Sequence, residues 1–442
     1  MQIRGLIVSA PNSGAGKTII TLGLLRTLQK RNINVYPAKS GPDYIDPKFH
    51  QVACGRSSIN LDCWAMKPDL VRSLAKHPSS VDASTASNEL ILIEGAMGVL
   101  DGGGKDGRGS VADLAEMLSV PIILVIDASK QFHSVALTPM GLVKARPKIN
   151  LLGVILNNIG SSRHLSGARE SLDKYGIELL GWLPKSPEFK IPERHLGLVL
   201  PEENPEMEEF IERISVKMDQ LVQVDTILQG AMEITKPNDV NPKVGIDPLG
   251  QNIAIARDKA FAFIYSHLIG YWQERGANIL PFSPLADEGP DAEADAVFLP
   301  GGYPEIHLLQ LAGKSKFISG MNRARERSAL IYGECGGFMV LGDAIRDSKG
   351  KSHRMLGFLN HVTSYQQTSL HLGYRRFKAL PNPHFRGKFS GHEFHYTNLE
   401  VAGGSKGLFK VEDSFGNRLP DAGLVDGNVF GSYQHLICAS QD

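Results

Sequence analysis

Two stretches of this chain bring together residue types that can do chemistry. The first is Ser9-Ala-Pro11-Asn12-Ser13-Gly14-Ala15-Gly16-Lys17-Thr18. Its small residues leave backbone N–H groups uncovered, and an anion seated at the start of a helix meets the positive end of the helix dipole. Asn12, Ser13, Gly14, Ala15 and Gly16 would form the cradle, Lys17 would reach the β- and γ-phosphates, and the Thr18 hydroxyl would bind Mg²⁺. Pro11 stands where the common G-x-x-x-x-G-K-[ST] pattern has its first glycine, so the loop is a variant. The second stretch is Gly333-Glu334-Cys335-Gly336-Gly337. A thiol between glycines, after an apolar run and before a helix, is a nucleophile elbow with cysteine in place of serine. The helix start is expected to lower the thiol pKa. Gly301 and Gly302 in Leu299-Pro-Gly-Gly-Tyr-Pro-Glu305, together with Gly336, would offer backbone N–H groups to an oxyanion. A thiolate also needs a base, and His435 in Ser432-Tyr-Gln-His435 is the best placed of the 14 histidines.

Elements of α/β type must position these residues. Leu6 to Val8 reads as a short strand, and Ile19, Leu22, Leu25 and Leu28 recur at helical spacing up to Arg31. Val35 to Lys39 is a second strand, running into Gly41-Pro-Asp43-Tyr44-Ile-Asp46-Pro47. Lys39 with two carboxylates at the carboxyl end of a strand fits either a ligand-binding edge or a solvated turn. Leu90-Ile-Leu-Ile-Glu94 is a buried strand ending in an acid, the Walker B arrangement, and Asp101 follows in a glycine-rich loop. Leu114 to Leu118 reads as helix, and Pro121 to Asp127, Leu151 to Asn158 and Ile177 to Leu183 as strands. Asn157 at a strand end would read a nucleotide base or cap a turn. Strands alternating with helices give a doubly wound parallel sheet. Arg194 and His195 sit in a proline-bounded loop, where they would bind an anionic substrate or lie at the surface. In the second half, strands are expected at 252–256, 277–282, 296–300 and 329–333, with a helix over Phe261 to Trp272. His392-Glu-Phe-His395 invites a metal reading, but it offers only two ligands at that spacing, with no third partner.

The whole chain sets wider bounds. Its 442 residues exceed what one core usually serves, so two domains are expected. A first domain over 1–200, a helical segment and polar linker over 201–250 and a second domain over 251–442 are the expected divisions. With 47 basic against 47 acidic residues, no nucleic-acid partner is indicated. No apolar run approaches the roughly 18 residues of a spanning helix, and no signal peptide fits at the start. Four scattered cysteines without a C-x-x-C pair argue against a disulfide framework or zinc site, and for a reducing cytoplasm. A homodimer is carried as an open expectation.

Taken in order, the Gly14-to-Thr18 loop, Gly41 to Pro47, Glu94 with Met97-Gly98, Arg194 to Leu198, Leu299 to Glu305, Gly333 to Gly337 and His392-Glu-Phe-His-Tyr396 resemble the cobyrinate/hydrogenobyrinate a,c-diamide synthases. The resemblance covers essentially the whole chain, and Phe282-Ser-Pro-Leu-Ala-Asp-Glu-Gly-Pro290 is closer to the hydrogenobyrinate type. It implies an N-terminal domain of dethiobiotin synthetase type and a C-terminal domain of class I glutamine amidotransferase type. The implied activity is ATP- and glutamine-dependent amidation of the a and c acetate groups of hydrogenobyrinic acid through acyl phosphates. The cobalt-containing cobyrinic acid is the alternative substrate. Cobyric acid synthase, a nickel-sirohydrochlorin relative and a non-catalytic P-loop regulator are rivals.

By matching position, the resemblance makes Thr18, Asp43 and Glu94 the Mg²⁺ ligands. Lys17 and Lys39 would neutralise the transferring phosphoryl group, and Asp46 and Asp101 would help order the intermediate. Cys335 and His435 would release ammonia from glutamine, which must then reach the synthetase domain without being lost to water. Tyr44, Arg194 and His195 are substrate candidates, with Arg375 and Arg376 as further carboxylate readers. Class I enzymes commonly carry an acid two residues after the histidine, and here that residue is Ile437.

Overall fold

A buried apolar run makes the central strand of the first half, and everything there is arranged about it. The computed structural model describes residues 3–76, 89–189, 201, 205–237, 243–382, 384–401 and 406–440. They divide into two compact units, Met1–Pro242 and Lys243–Asp442.

In the first unit β1 (Ile3–Ser9) leads through the glycine loop into α1 (Lys17–Lys30). There follow β2 (Asn34–Ser40), α2 (Asp46–Cys54), β3 (Ile59–Leu61), α3 (Pro68–Lys76), β4 (Glu89–Glu94) and α4 (Val111–Leu118). Then come β5 (Ile122–Asp127), α5 (Leu137–Ala145), β6 (Leu151–Ile159), α6 (Ser162–Lys174) and β7 (Leu179–Pro184). The order across the sheet is β3-β2-β4-β1-β5-β6-β7, all parallel. The chain crosses one way from β1 to β2 and the other way from β4 over β1 to β5, and such a switch point opens a crevice at the carboxyl ends of these strands. The register sets Val8 beside Glu94 and Lys39 beside Glu94 at that edge. Strand β7 starts at Leu179; Ile177 instead closes the end of α6, its N–H donating to the Leu172 carbonyl after a left-handed Gly176.

The helical stretch expected within 201–250 is present and packs with the first unit. Helices α7 (Met207–Leu221) and α8 (Val224–Gly230) belong to the first unit, and β8 (Met232–Glu233) pairs antiparallel with β1. Met207, Phe210, Ile211, Ile214 and Met218 recur on one face of α7 and are buried with Leu24, Leu25 and Leu28 of α1 in one core. Each such side chain stabilises by about 1.5–3 kcal/mol when fully buried. The two helices cross closely at Gly23, where a Cβ would sit 2.6 Å from Ile214 Cγ2.

The second unit opens with β9 (Asn252–Ala256), α9 (Ser266–Glu274), β10 (Asn278–Phe282), β11 (Ala296–Leu299), α10 (Leu308–Ala312), α11 (Ser315–Glu326), β12 (Leu330–Glu334) and α12 (Gly336–Leu341). Its main sheet runs β10-β9-β11-β12, then strands Val429–Ser432 and Leu424–Asp426, the last antiparallel. The helix expected from Phe261 starts only at Ser266. The reason is that the 260–263 backbone braces a turn: Phe263 N–H donates to the Gly301 carbonyl, and a Cβ on Gly302 would sit 2.1 Å from the Ala260 oxygen. A five-stranded antiparallel sheet, not anticipated from the sequence, carries His371–Ala379, Lys388–His395 and Gln434–Ala439. The chain leaves the parallel sheet at Ser432 and enters this one at Gln434, so His435 stands at the junction.

Candidate active sites

The glycine loop closes on β1 with no acid in the first turn of α1, which suits an anion. Gly16 has φ +103°, and a Cβ there would meet Asn157 Nδ2 at 2.2 Å, so only glycine fits. Asn157 donates from Nδ2 to the Ala15 carbonyl at 3.0 Å, and its Oδ1 accepts the Asn158 N–H at 3.0 Å. The amide thus braces the loop. Lys17 Nζ donates to the carbonyls of Asn12 at 3.1 Å and Met97 at 2.6 Å. Burial, then the nearby Lys39, hold its pKa below the usual lysine value.

Beside the loop lies a dense knot of charge. Lys39, only 3% exposed, pairs with Asp46, with Glu94 Oε1 at 3.0 Å and with Asp43 at 3.8 Å. Burial alone would lower the Lys39 pKa, and the carboxylates of Asp46, Glu94 and Asp43 more than reverse this. Glu94 is fully buried and also accepts from Thr18 Oγ1 at 2.7 Å and meets His50 Nε2 at 2.8 Å. Burial would raise its carboxyl, but Lys39, His50 and Thr18 hold it well below the usual range. Burial and then Asp43 push Asp46 the other way, well above its ordinary value. Asp43 Oδ1 accepts the N–H groups of Ile45 and Asp46, fixing the start of α2, while Asn60 Nδ2 donates to the Asp43 carbonyl at 2.7 Å. Tyr44 is buried in the same turn. Asp101 Oδ2 accepts the Gly98 N–H at 3.0 Å and shapes the loop after β4. His50 was not singled out from the sequence. Its signal was present: it follows Asp46 by four residues and so shares a helix face with it. The oxygen donors of Thr18, Asp43 and Glu94 fit a hard divalent cation such as Mg²⁺. Arg194 and His195 lie outside the described residues.

The cysteine site is the opposite in character. Cys335 has φ +46° and ψ −107°, a strained conformation for a non-glycine residue that costs about 1–3 kcal/mol. The turn is held by Cys335 N–H donating to the Ser432 carbonyl at 2.8 Å and Gly337 N–H to the Pro300 carbonyl at 3.1 Å. Gly337 packs so tightly that a Cβ would lie 1.9 Å from the Leu299 oxygen. Gly336 faces the Gly302 nitrogen, so the two expected N–H donors are neighbours. Gly301 separates nucleophile from base: a Cβ there would be 2.4 Å from His435 Cε1 and 3.3 Å from Cys335 Cβ. The expected lowering of the thiol pKa is not found. Burial, reinforced by Glu305, pushes the Cys335 thiol well up, and the Gly336 N–H only partly offsets it.

His435 is buried and stacked on His392 with ring centroids 4.7 Å apart, and His392 Nδ1 meets Tyr265 OH at 3.2 Å. Glu334 Oε2 lies 3.7 Å from His435 Nδ1. Burial, then His392, hold the imidazole well below its usual pKa. The His392-Glu-Phe-His395 run divides by strand alternation: His392 faces His435, while Glu393 and His395 face His371 on the next strand. One ligand atom from each of His371, Glu393 and His395 lies within 4.8 Å of the others, so a third partner does exist. Glu393 is already engaged by Arg375 Nε at 2.9 Å and His395 Nε2 at 3.0 Å, which makes the group a satisfied ion-paired cluster. All four cysteines are free and buried, and no described helix is long and apolar enough to cross a membrane.

With both geometries described, comparison with known proteins identifies the architecture. Residues 252–442 match the CobB/CobQ-like glutamine amidotransferase domain, and residues 4–193 match an AAA domain. A hydrogenobyrinate a,c-diamide synthase of Brucella anthropi is 43% identical over 436 residues, covering 98% of each chain. The chain belongs to this family. A relative of the same name from Sinorhizobium is 45% identical over 98% of each chain, and one from Rhizobium meliloti is 42% identical over 99% of this chain and 100% of its own. Members are ligases that combine a nucleotide-binding P-loop domain with a glutamine amidotransferase domain, the two-part α/β organisation seen here.

Proposed function

We propose that this protein converts two acetate carboxylates of hydrogenobyrinic acid to amides, using ATP as activator and L-glutamine as nitrogen donor. The observation that supports this best is the coexistence, in a chain like those relatives throughout its length, of a charge-lined phosphate loop and a strained cysteine elbow facing a histidine. In the first unit a substrate carboxylate oxygen attacks the γ-phosphorus of ATP, ADP leaves, and an acyl phosphate forms. Free carboxylate is a poor electrophile, and the acyl phosphate gives ammonia a good leaving group. Thr18, Asp43 and Glu94 would hold Mg²⁺, which supplies charge neutralisation on the phosphate oxygens. Lys17 and Lys39 carry further positive charge to the same place. Asp46 and Asp101 order the loops around the acyl phosphate, and Tyr44, Arg194 and His195 contact the macrocycle.

In the second unit His435 takes the Cys335 proton as Sγ bonds to the glutamine side-chain carbon. The carbonyl oxygen gains charge beside the N–H groups of Gly302 and Gly336. The carbon–nitrogen bond breaks, ammonia leaves with a proton, and water clears the thioester to glutamate. The test is one assay read by mass spectrometry. Purified protein receives Mg-ATP, glutamine and either hydrogenobyrinic or cobyrinic acid. A product lighter by two OH→NH₂ exchanges, formed preferentially from the cobalt-free ring, is expected. Preference for the cobalt-containing ring replaces the substrate, and unchanged rings with continuing glutamine hydrolysis overturn the ring assignment.

A further inference from the structure

We infer that Glu334, the residue immediately before the nucleophile, is the positioning acid of His435. This rests on the proposed glutaminase chemistry of the Cys335 site. The place where class I enzymes commonly carry that acid, two residues after the histidine, is filled here by Ile437, buried at 1% exposure. Glu334 faces His435 Nδ1, with Oε2 at 3.7 Å.

Three features show a carboxylate that is held in place. Strand register pairs Glu334 with Ser432 at the end of β12, three residues before the histidine, so acid and base approach from adjacent strand ends. The Leu436 N–H donates to Glu334 Oε1 at 3.2 Å, and Tyr332 OH donates to the same oxygen at 3.1 Å. Both donors serve one oxygen, leaving Oε2 turned to the imidazole. Glu334 is 3% exposed, so water does not compete for that contact.

The chemistry follows from where protons go. With Nδ1–H directed at Glu334, Nε2 is the nitrogen left to accept the Cys335 proton, and the wrong tautomer is disfavoured. When the thiol proton moves to Nε2 and Sγ bonds to the glutamine carbon, His435 becomes an imidazolium. Burial pushes the Glu334 carboxyl up, and even with the Leu436 N–H and Tyr332 OH partly offsetting this it stands at about 8, a site where a lone negative charge is unwelcome. The imidazolium is the counter-charge that relieves it, and in so dry a place the pair is worth more than at a surface. The proton on Nε2 then leaves with ammonia, returning the pair to its starting form.

Glu334→Gln keeps the shape and removes the charge. The expected result is a 30- to 300-fold fall in kcat for glutamine hydrolysis, with KM for glutamine within threefold of wild type. Synthesis driven by ammonium salts stays at the wild-type rate, which shows an intact fold. Alkylation of Cys335 by iodoacetamide slows at least tenfold, an effect that a packing role would not produce. Tyr332→Phe, which only loosens the carboxylate, should lower kcat about fivefold, and it decides the matter if the Gln variant does not fold. Wild-type kcat in the folded variant, or a raised KM with unchanged kcat, overturns the assignment.

Discussion

The two sites of this molecule handle charge in opposite ways. Around the phosphate loop, Lys39 is ion-paired with Asp43, Asp46 and Glu94, and a partly desolvated Lys17 lies close to them. Around Cys335 burial works against charge instead: it pushes the thiol up, His435 down and Glu334 up. The first arrangement suits a reactant that brings its own charge, since fixed opposite charges meet it without reorganisation. The second suits a reaction that must create charge where water would otherwise quench or hydrolyse it. One chain thus holds a site poised with charge and a site that makes charge only when used.

The largest effects should come from exchanging the two. Cys335→Ala is expected to lower glutamine-dependent amide formation more than about 10³-fold while ammonium-driven synthesis persists. Glu94→Gln, which removes the acid that links Thr18, Lys39 and His50, should lower synthesis from both nitrogen sources by roughly 10²-fold or more, with glutamine hydrolysis intact. Steady-state assays with each nitrogen source read this directly. A Cys335→Ala enzyme dead with ammonium as well would merge the two sites into one.

Next is the gap between nucleophile and base. Gly301→Ala inserts a methyl 2.4 Å from His435 Cε1, where no relaxed contact exists. Overpacking of this kind costs about 1–3 kcal/mol, which corresponds to a fall of roughly 5- to 150-fold in glutaminase kcat/KM. Wild-type glutaminase from this variant would mean that His435 is free to move away from Cys335 without penalty.

How much of this was legible beforehand differs between the halves for a physical reason. In the first unit each strand is a near-continuous apolar run covered on both faces, and the chemistry sits at strand ends in consecutive residues. Lys39, Glu94 and the loop were therefore readable, although His50 was missed because its carboxylate partner Glu94 is 44 residues away. In the second unit the elbow and its glycines were readable for the same reason. The antiparallel sheet was not, because strands such as His371–Ala379 are half exposed and rich in His, Arg and Lys, so their alternation is faint. The partner of His435 was hidden in plain view inside the elbow motif. Only strand register, which no local pattern encodes, turns Glu334 toward it.

The contrast in charge also predicts different responses to acid. His267 and His361 are buried and held down to about 4, and His392 to about 3, chiefly by burial. Unfolded, each would take up a proton near its ordinary value of 6.5. Folded-state values below unfolded ones mean that stability is full above about pH 6.5 and is lost as pH falls toward 4, by up to about 3 kcal/mol per histidine. All three lie in the second unit. Glu94 in the first unit is also depressed, but from the carboxylate range, so its loss begins only below about pH 4.5. Calorimetry across pH 7 to 4.5 should show the second unit's transition falling well ahead of the first's. Parallel decline would mean that these histidines remain neutral in both states or that the units unfold as one.

The smallest effect expected separates two uses of Asn157. Its amide hydrogen and its oxygen are both engaged, with Ala15 and Asn158, and the side chain lies against Gly16, where a Cβ would meet it at 2.2 Å. A brace of this sort contributes about 0.5–1.5 kcal/mol, so Asn157→Ala should raise KM for ATP by roughly 2- to 12-fold and leave kcat nearly unchanged. A base-reading amide would behave differently, because its loss removes a hydrogen bond that distinguishes adenine from guanine. The ratio of kcat/KM with ATP to that with GTP is the deciding quantity. A ratio that stays constant while both KM values rise marks a brace for the phosphate loop. A ratio that collapses toward one returns Asn157 to the base, and requires the loop to release the amide when nucleotide enters.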